Sequence, residues 1–152
     1  MKGFETDDNS KKGKAIEHYI ISELLKYDFD VYIPLVDKGI DMIVKDNEGG
    51  FIEIQVKSRV ITEDGWFFIK DFKPKSNFFI VCHNLVKDDF VVIPSKTFNK
   101  HAEDFTQNGK KYRRMGYKHL QNWWQHRNQK GIKFLRKVLK NPKNRLNTEF
   151  EE

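Results

Sequence analysis

Two short β-rich runs are joined through the turn residues Asn47, Glu48, Gly49 and Gly50, and this arrangement constrains the fold more than any other feature. Runs 39–45 and 51–57 joined by such a turn predict an antiparallel hairpin. Side chains in a strand alternate between faces. In the second run Ile52, Ile54 and Val56 share one face, and Phe51, Glu53, Gln55 and Lys57 share the other. In the first run Ile40, Met42 and Val44 share a face, and Asp41 points away with Ile43. The aliphatic face is the natural core face. The opposite face aligns an acid, an amide and an ammonium, and a short hairpin brings Asp41 beside that row.

The flanking sequence supplies helices and further strands. Residues 1–12 read as a flexible lead-in. A helix is predicted over 14–27, with Ile16, Ile20 and Leu24 at helical spacing, Ile21 and Leu25 beside them, and Glu23 and Lys26 on the outer face. Glu17 lies on the apolar stripe, where an unpartnered carboxylate costs free energy. Strands are predicted at 29–35, ending near Pro34, and at 66–69, 77–84 and 90–93. A loop lies at 73–76. Pro94 and Ser95 open a helix to about residue 105, with Ser95 as its N-cap. Beyond Asn108 and Gly109, two basic helices are predicted at 117–128 and 132–140, interrupted at Gly131 and stopped by Pro142. The chain therefore divides into a lead-in at 1–12, a core at 13–106 and a basic helical extension at 107–152.

Charge separates the last of these from the rest. Residues 1–106 hold 15 Lys/Arg against 19 Asp/Glu, whereas residues 107–148 hold 13 Lys/Arg and no acid. Such a run attracts a polyanion through Coulomb forces and counterion release. Lys110, Lys111, Arg113 and Arg114 cluster without visible pairing acids and read as phosphate contacts. Thirteen Phe, five Tyr and three Trp supply a core and argue against a disordered chain. No apolar run reaches the roughly 18 residues that span a bilayer. The opening residues are polar, unlike a signal peptide. A single cysteine, Cys82, lies in an apolar run and reads as core. That usage suits a reducing, cytoplasmic setting.

Phosphodiester hydrolysis needs a set like the one on the hairpin. Oxygen ligands hold a hard divalent cation that keeps several waters. The metal acidifies a bound water and offsets phosphate charge, and an ammonium orients that water. An ordinary half-exposed hairpin would carry the same residue types as surface charges, so residue types alone leave both readings open.

Three pieces in order, GKAIEHYIISELL, DKGIDMIV and FIEIQVKSR, resemble the PD-(D/E)XK nuclease superfamily. The pattern is a helix with a glutamate, a strand with an aspartate, and a strand reading acid-any-lysine. Gln55, Val56 and Lys57 are similar to the branch in which glutamine replaces the acid, which includes resolvase-like and intron-endonuclease-like nucleases. The resemblance implies an α/β (α+β) fold of restriction-endonuclease type, with a mixed central β-sheet flanked by helices. It implies a Mg²⁺- or Mn²⁺-dependent endonuclease acting on nucleic acid, DNA rather than RNA. It makes Asp41 the central metal ligand, with Gln55, the Val56 carbonyl and Glu17 as further ligands and Glu53 as an alternative acid. Lys57 would position the water. Lys14, Ser58, Arg59, Lys73 and Lys75 would lie along the nucleic acid. Cutting both strands of a duplex is simplest with two sites, so a homodimer is one assembly open to the chain.

Other readings remain beside this one. A non-catalytic nucleic-acid-binding module could keep the fold with a weakened site. A subunit could use the basic region on an acidic protein partner. His119 and His126 share a helical spacing but lack the companions that zinc requires. Trp123 and Trp124 lie among cations, and helix packing is the expected role for at least one of them.

Overall fold

Asp8 starts the first helix. In the computed structural model, which describes residues 3–45 and 49–141, the Asp8 carboxylate accepts from the amides of Ser10 and Lys11 at 2.9 and 3.3 Å. Helix α1 therefore runs Asn9–Lys26, and the expected lead-in supplies its cap and first turn. Ile16, Ile20 and Leu24 are buried as predicted, whereas Leu25 is exposed. Glu23 is also buried rather than outward, and Lys26 pairs with it at 2.6 Å.

Among the described residues, strands β1 (Asp30–Tyr32), β2 (Met42–Lys45), β3 (Phe51–Arg59), β5 (Phe78–Asn84) and β6 (Asp89–Pro94) form a mixed sheet in the order β1-β2-β3-β5-β6. Only β3 and β5 pair in parallel. β1 is shorter than expected because the chain leaves the sheet toward Pro34, which has no amide hydrogen to give. β2 begins at Met42, not at residue 39. Gly39 has φ +82°, and its amide donates to the Asp37 carboxylate at 2.8 Å, which makes a turn. Asn47 and Glu48 of the hairpin turn, and Pro142, lie outside the described residues.

Strand β4 (Trp66–Lys70) leaves the central sheet and pairs with β8 (Lys110–Gly116), which pairs in turn with β7 (Glu103–Gln107). The sequence reading placed a helix end over β7 and no strand over β8. Their sheet is solvated on one face, so charged residues replace the apolar alternation that marks a strand. Asn108 and Gly109 make the hairpin between them with φ of +50° and +71°, as a primed turn requires.

Helix α2 covers Ser95–His101 and stops early. Arg113 of β8 donates to the carbonyls of Asn99 and Ala102 at 2.7 Å each, taking the acceptors a further helical turn would use. Ser95 is not the N-cap. Its hydroxyl accepts from the Lys75 amide at 2.9 Å and donates to the Lys75 carbonyl at 2.7 Å, which pins the loop before β5.

Helix α3 (Tyr117–Leu120) runs into a 3-10 segment (Gln121–His126), and α4 covers Gln129–Lys140. The break falls at Asn128, with φ +51°, rather than at Gly131. Asn128 is tied to β6: its amide donates to the Phe90 carbonyl at 2.8 Å, and its side-chain oxygen accepts from the Phe90 amide at 2.9 Å.

Two apolar clusters sandwich the central sheet. Ile52, Ile54, Val56, Phe79 and Val81 pack with α1 and with Ile132, Leu135, Val138 and Leu139 of α4. On the other face Phe78, Ile80 and Cys82 pack with Phe67, Ile69, Met115, Phe98 and Leu120. The basic segment after residue 107 therefore contributes a strand and a helix to the structure that holds the hairpin. No helix among the described residues is long and apolar enough to cross a membrane.

Candidate active site

The register of β2 on β3 decides what meets what. Met42 lies opposite Ile54, and Ile43 opposite Glu53. The Asp41 amide donates to the Ile54 carbonyl at 2.9 Å. The Asp41 carboxylate accepts from the Val56 amide at 2.6 Å, across 15 residues of sequence. Asp41 thus reaches the strand beside Gln55 and Lys57, as the alternation predicted.

Burial pushes the Asp41 carboxyl above the usual carboxylate range. The Val56 amide pulls it back, the negative charge of Glu17 raises it, and Lys57 lowers it. Asp37, which the sequence reading left aside, adds a further negative charge. Its signal was present as the second acid four residues before Asp41. Lys14 answers this cluster. It pairs with Glu17 at 2.6 Å, and that bond holds the ammonium above the usual lysine value, with Asp41 and Asp37 adding to the effect.

On the same face of β3, Glu53, Gln55 and Lys57 line a cleft of about 890 Å³ between the central sheet and the β4 side. The loop 34–40 forms one wall, and Lys70, Phe72, Lys73 and Lys75 form another. Gln55 is almost fully buried there, and a Cβ on Gly39 would stand 3.6 Å from its side-chain nitrogen. Lys75 crosses the cleft to Glu53 at 2.6 Å. Glu53 is therefore engaged in an ion pair, while Gln55 lies nearer the Asp41 end. Asp41, Glu17 and Val56 sit beside the cleft rather than on its lining. Ser58 is half-buried and Arg59 exposed at the far end of β3.

The cations expected on the basic segment divide into two kinds. Lys110 and Lys111 are exposed beside the β7–β8 turn. Arg113 and Arg114 are not free of acids: Arg113 pairs with Asp104 at 3.0 Å and Arg114 with Glu103 at 2.5 Å. The pairing acids come from β7, the strand that sequence reading took as helix. Trp123 packs on the second apolar cluster, as expected for one of the pair, and the side chain of Trp124 lies outside the described residues.

The donor set near Asp41 is two carboxylates, one carboxamide and backbone carbonyls. Among the described residues no three His, Cys, Asp or Glu are grouped for metal binding. An all-oxygen set with two acids fits a hard cation that keeps most of its water shell. Burial disfavours the ionised form of the half-buried Asp41, and an added positive charge would favour it.

Residues 7–78 match the family model described as PD-(D/E)XK endonuclease. That stretch is similar to a PD-(D/E)XK endonuclease domain. The matched stretch takes in α1, Asp41, β3 and the first residue of β5. The fold has solved relatives. A bacterial homing endonuclease, I-Ssp6803I, superposes with a TM-score of 0.55 at 18% identity, over 90% of this chain and 97% of that one. Hjc of Archaeoglobus fulgidus, a Holliday junction resolvase from an archaeal hyperthermophile, gives 0.49 at 13% identity, over 70% of this chain and 84% of that one. No curated protein matches the sequence. The first of these likenesses bears on the fold, which is the restriction-endonuclease-like mixed sheet with helices.

Proposed function

We propose that this PD-(D/E)XK protein is a divalent-metal-dependent endonuclease that cleaves DNA. The observation that carries the reading is the meeting of Asp41 with strand β3 at Val56, which sets a half-buried acid beside Gln55 and Lys57. Asp41 and the Gln55 side-chain oxygen would hold the cation, with the Val56 carbonyl and Glu17 completing the set directly or through water. Bound there, Mg²⁺ or Mn²⁺ supplies an acidified water and charge neutralisation at the phosphate.

The chain's own groups do the rest. Lys57 directs its ammonium toward the attacking water and offsets charge that develops on the phosphate. Lys57 takes part in no ion pair among the described residues, unlike Lys14 and Lys75. Lys73 and Lys75 line the cleft wall and would meet phosphates on either side of the scissile bond. Ser58 and Arg59 continue that path. A homodimer is the proposed form for cutting both strands.

Supercoiled plasmid incubated with the protein and Mg²⁺ or Mn²⁺ tests this. Nicked or linear product is expected, reduced about 100-fold or more in Lys57→Ala. No cutting in either metal, or undiminished cutting by Lys57→Ala, would sink the proposal.

A further inference from the structure

Among the described residues no layer covers one face of the second sheet. Phe67, Ile69 and Met115 point inward and are buried against the central sheet. The opposite face carries Trp66 and Phe68 of β4, Tyr112 and Arg114 of β8, and Phe105 of β7. All five are only half-buried. Register places Phe68 opposite Arg114 and Arg114 opposite Glu103, then Lys70 opposite Tyr112 and Tyr112 opposite Phe105. The three rings form a cluster, with Phe68 5.2 Å from Phe105 and 6.3 Å from Tyr112 between centroids.

Cations are fixed onto these rings. The Arg114 guanidinium lies 4.3 Å from the Trp66 ring and 4.4 Å from the Phe105 ring. Glu103 holds it there through bonds of 2.8 and 2.5 Å. Arg59 lies 4.7 Å from the Phe68 ring. Arg59 belongs to β3, two residues beyond Lys57, so the aromatic face continues directly from the candidate active site.

We propose that this face is a stacking platform for the unpaired bases of a nucleic-acid strand. Aromatic rings left partly exposed on a sheet face retain some apolar area to bury, and every base has a π-face that can cover it. Guanidinium planes stacked on those rings extend the platform and bring positive charge to the sugar-phosphate backbone. Lys70 and Lys110, both exposed at the edge of the same face, add positive charge that suits a polyanion. Duplex DNA hides its base faces in the stack, so the platform favours single-stranded or locally opened substrate. The link to cleavage rests on the reading of the cleft given above, whereas binding does not.

Fluorescence anisotropy with an end-labelled 20-nucleotide DNA strand, and with its duplex, tests the idea on the full chain. EDTA is present throughout so that no cutting intervenes. Wild type is expected to bind the single strand more tightly than the duplex. Phe68→Leu and Tyr112→Leu keep apolar bulk but lose the ring, and each is expected to weaken single-strand binding about 5-fold or more. Phe68→Tyr keeps a ring and is expected to restore wild-type affinity. Thermal melting identifies a leucine variant that fails to fold, and the other leucine variant then carries the comparison with wild type. Duplex bound as tightly as single strand, or leucine variants within two-fold of wild type, overturns the platform. Plasmid cutting by wild type with normal binding by the leucine variants overturns the platform alone. Ring-dependent binding without any cutting overturns the cleft reading alone.

Discussion

The Asp41 carboxylate accepts the Val56 amide at 2.6 Å, and that bond closes the space between the end of β2 and the middle of β3. A strand amide that would otherwise need a backbone partner is served by an acidic side chain. The same contact holds the acid beside Gln55 and Lys57. Burial and the nearby Glu17 charge raise the Asp41 carboxyl against the pull of the Val56 amide, so the folded chain holds this proton more readily than the unfolded one. The stabilising contribution of this group is therefore present below the unfolded carboxylate value and is lost as pH rises through the folded one. At neutral pH the ionised group opposes folding. Asp41→Asn keeps an oxygen for the Val56 amide and removes the charge. Its metal-free Tm at pH 7 is expected to equal or exceed that of wild type, while plasmid cutting is lost. Mg²⁺ should raise the wild-type Tm and leave the variant unmoved. A metal-free Tm well below wild type would show that the charge is already compensated in the fold.

The two kinds of cation on β8 should behave differently. Arg113 clamps the end of α2 through two carbonyls and the Asn99 side chain, besides pairing with Asp104. Arg113→Ala leaves those acceptors without their donor and is expected to cost about 2 kcal/mol, or roughly 4–8 °C in Tm. Lys110→Ala and Lys111→Ala should leave Tm within about 1–2 °C. Each should instead lower the salt slope of nucleic-acid binding by about one unit. A calorimetric scan and a salt titration separate the roles. Lysine variants that melt early, with an unchanged salt slope, would reverse the assignment.

The contrast between these residues also marks how far sequence could reach. Alternation in 51–57 located the core face and the candidate row of Glu53, Gln55 and Lys57 because β3 is buried on one side and lines a cleft on the other. Glu17 and Asp41 were legible because an acid on an apolar stripe, or at a hairpin start, breaks the local pattern. β7 and β8 were not legible. Their outward face carries charge and rings, and their inward face holds little more than Met115, so neither strand shows a period of two. The acids Glu103 and Asp104 could be matched to Arg114 and Arg113 only once those strands were paired. The cap at Asp8 was missed for a simpler reason: the residues after it are polar, so helical periodicity begins only at Ile16.

Two buried histidines give the fold an acid limit. Burial pushes the His126 imidazole down to about 4, and Lys137 adds to the effect. Burial also lowers His83, against the opposing pull of Asp88 at 3.2 Å. An unfolded histidine takes its proton near 6.5. Between about pH 6.5 and 4 the unfolded chain therefore binds more protons than the folded one, and stability falls as pH falls through that window. His126→Phe keeps an aromatic ring against Phe134, whose centroid lies 4.2 Å away. The drop in Tm from pH 7 to pH 5 is expected to be smaller in that variant than in wild type. An identical drop would mean that His126 is protonated within the fold.

Gly131 offers the sharpest test of the packing that carries α4. Replacing a helical glycine with alanine usually stabilises a helix by up to about 1 kcal/mol. Here the added Cβ would lie 2.4 Å from the His126 carbonyl oxygen and 2.7 Å from Cγ2 of Val92. The first neighbour is backbone, held close by Asn128, whose amide and side chain are both bonded to Phe90. It cannot retreat without pulling the turn off β6. Overpacking of this kind costs about 1–3 kcal/mol, so the sign reverses and Gly131→Ala is expected to lower Tm by about 2–12 °C. Val92→Ala in the same chain removes only the side-chain half of the clash. A double-mutant cycle should then recover part of the loss and leave the carbonyl contact. A Tm at or above wild type for Gly131→Ala alone would show that α4 sits farther from β6, and would loosen the support behind the strand that carries Gln55 and Lys57.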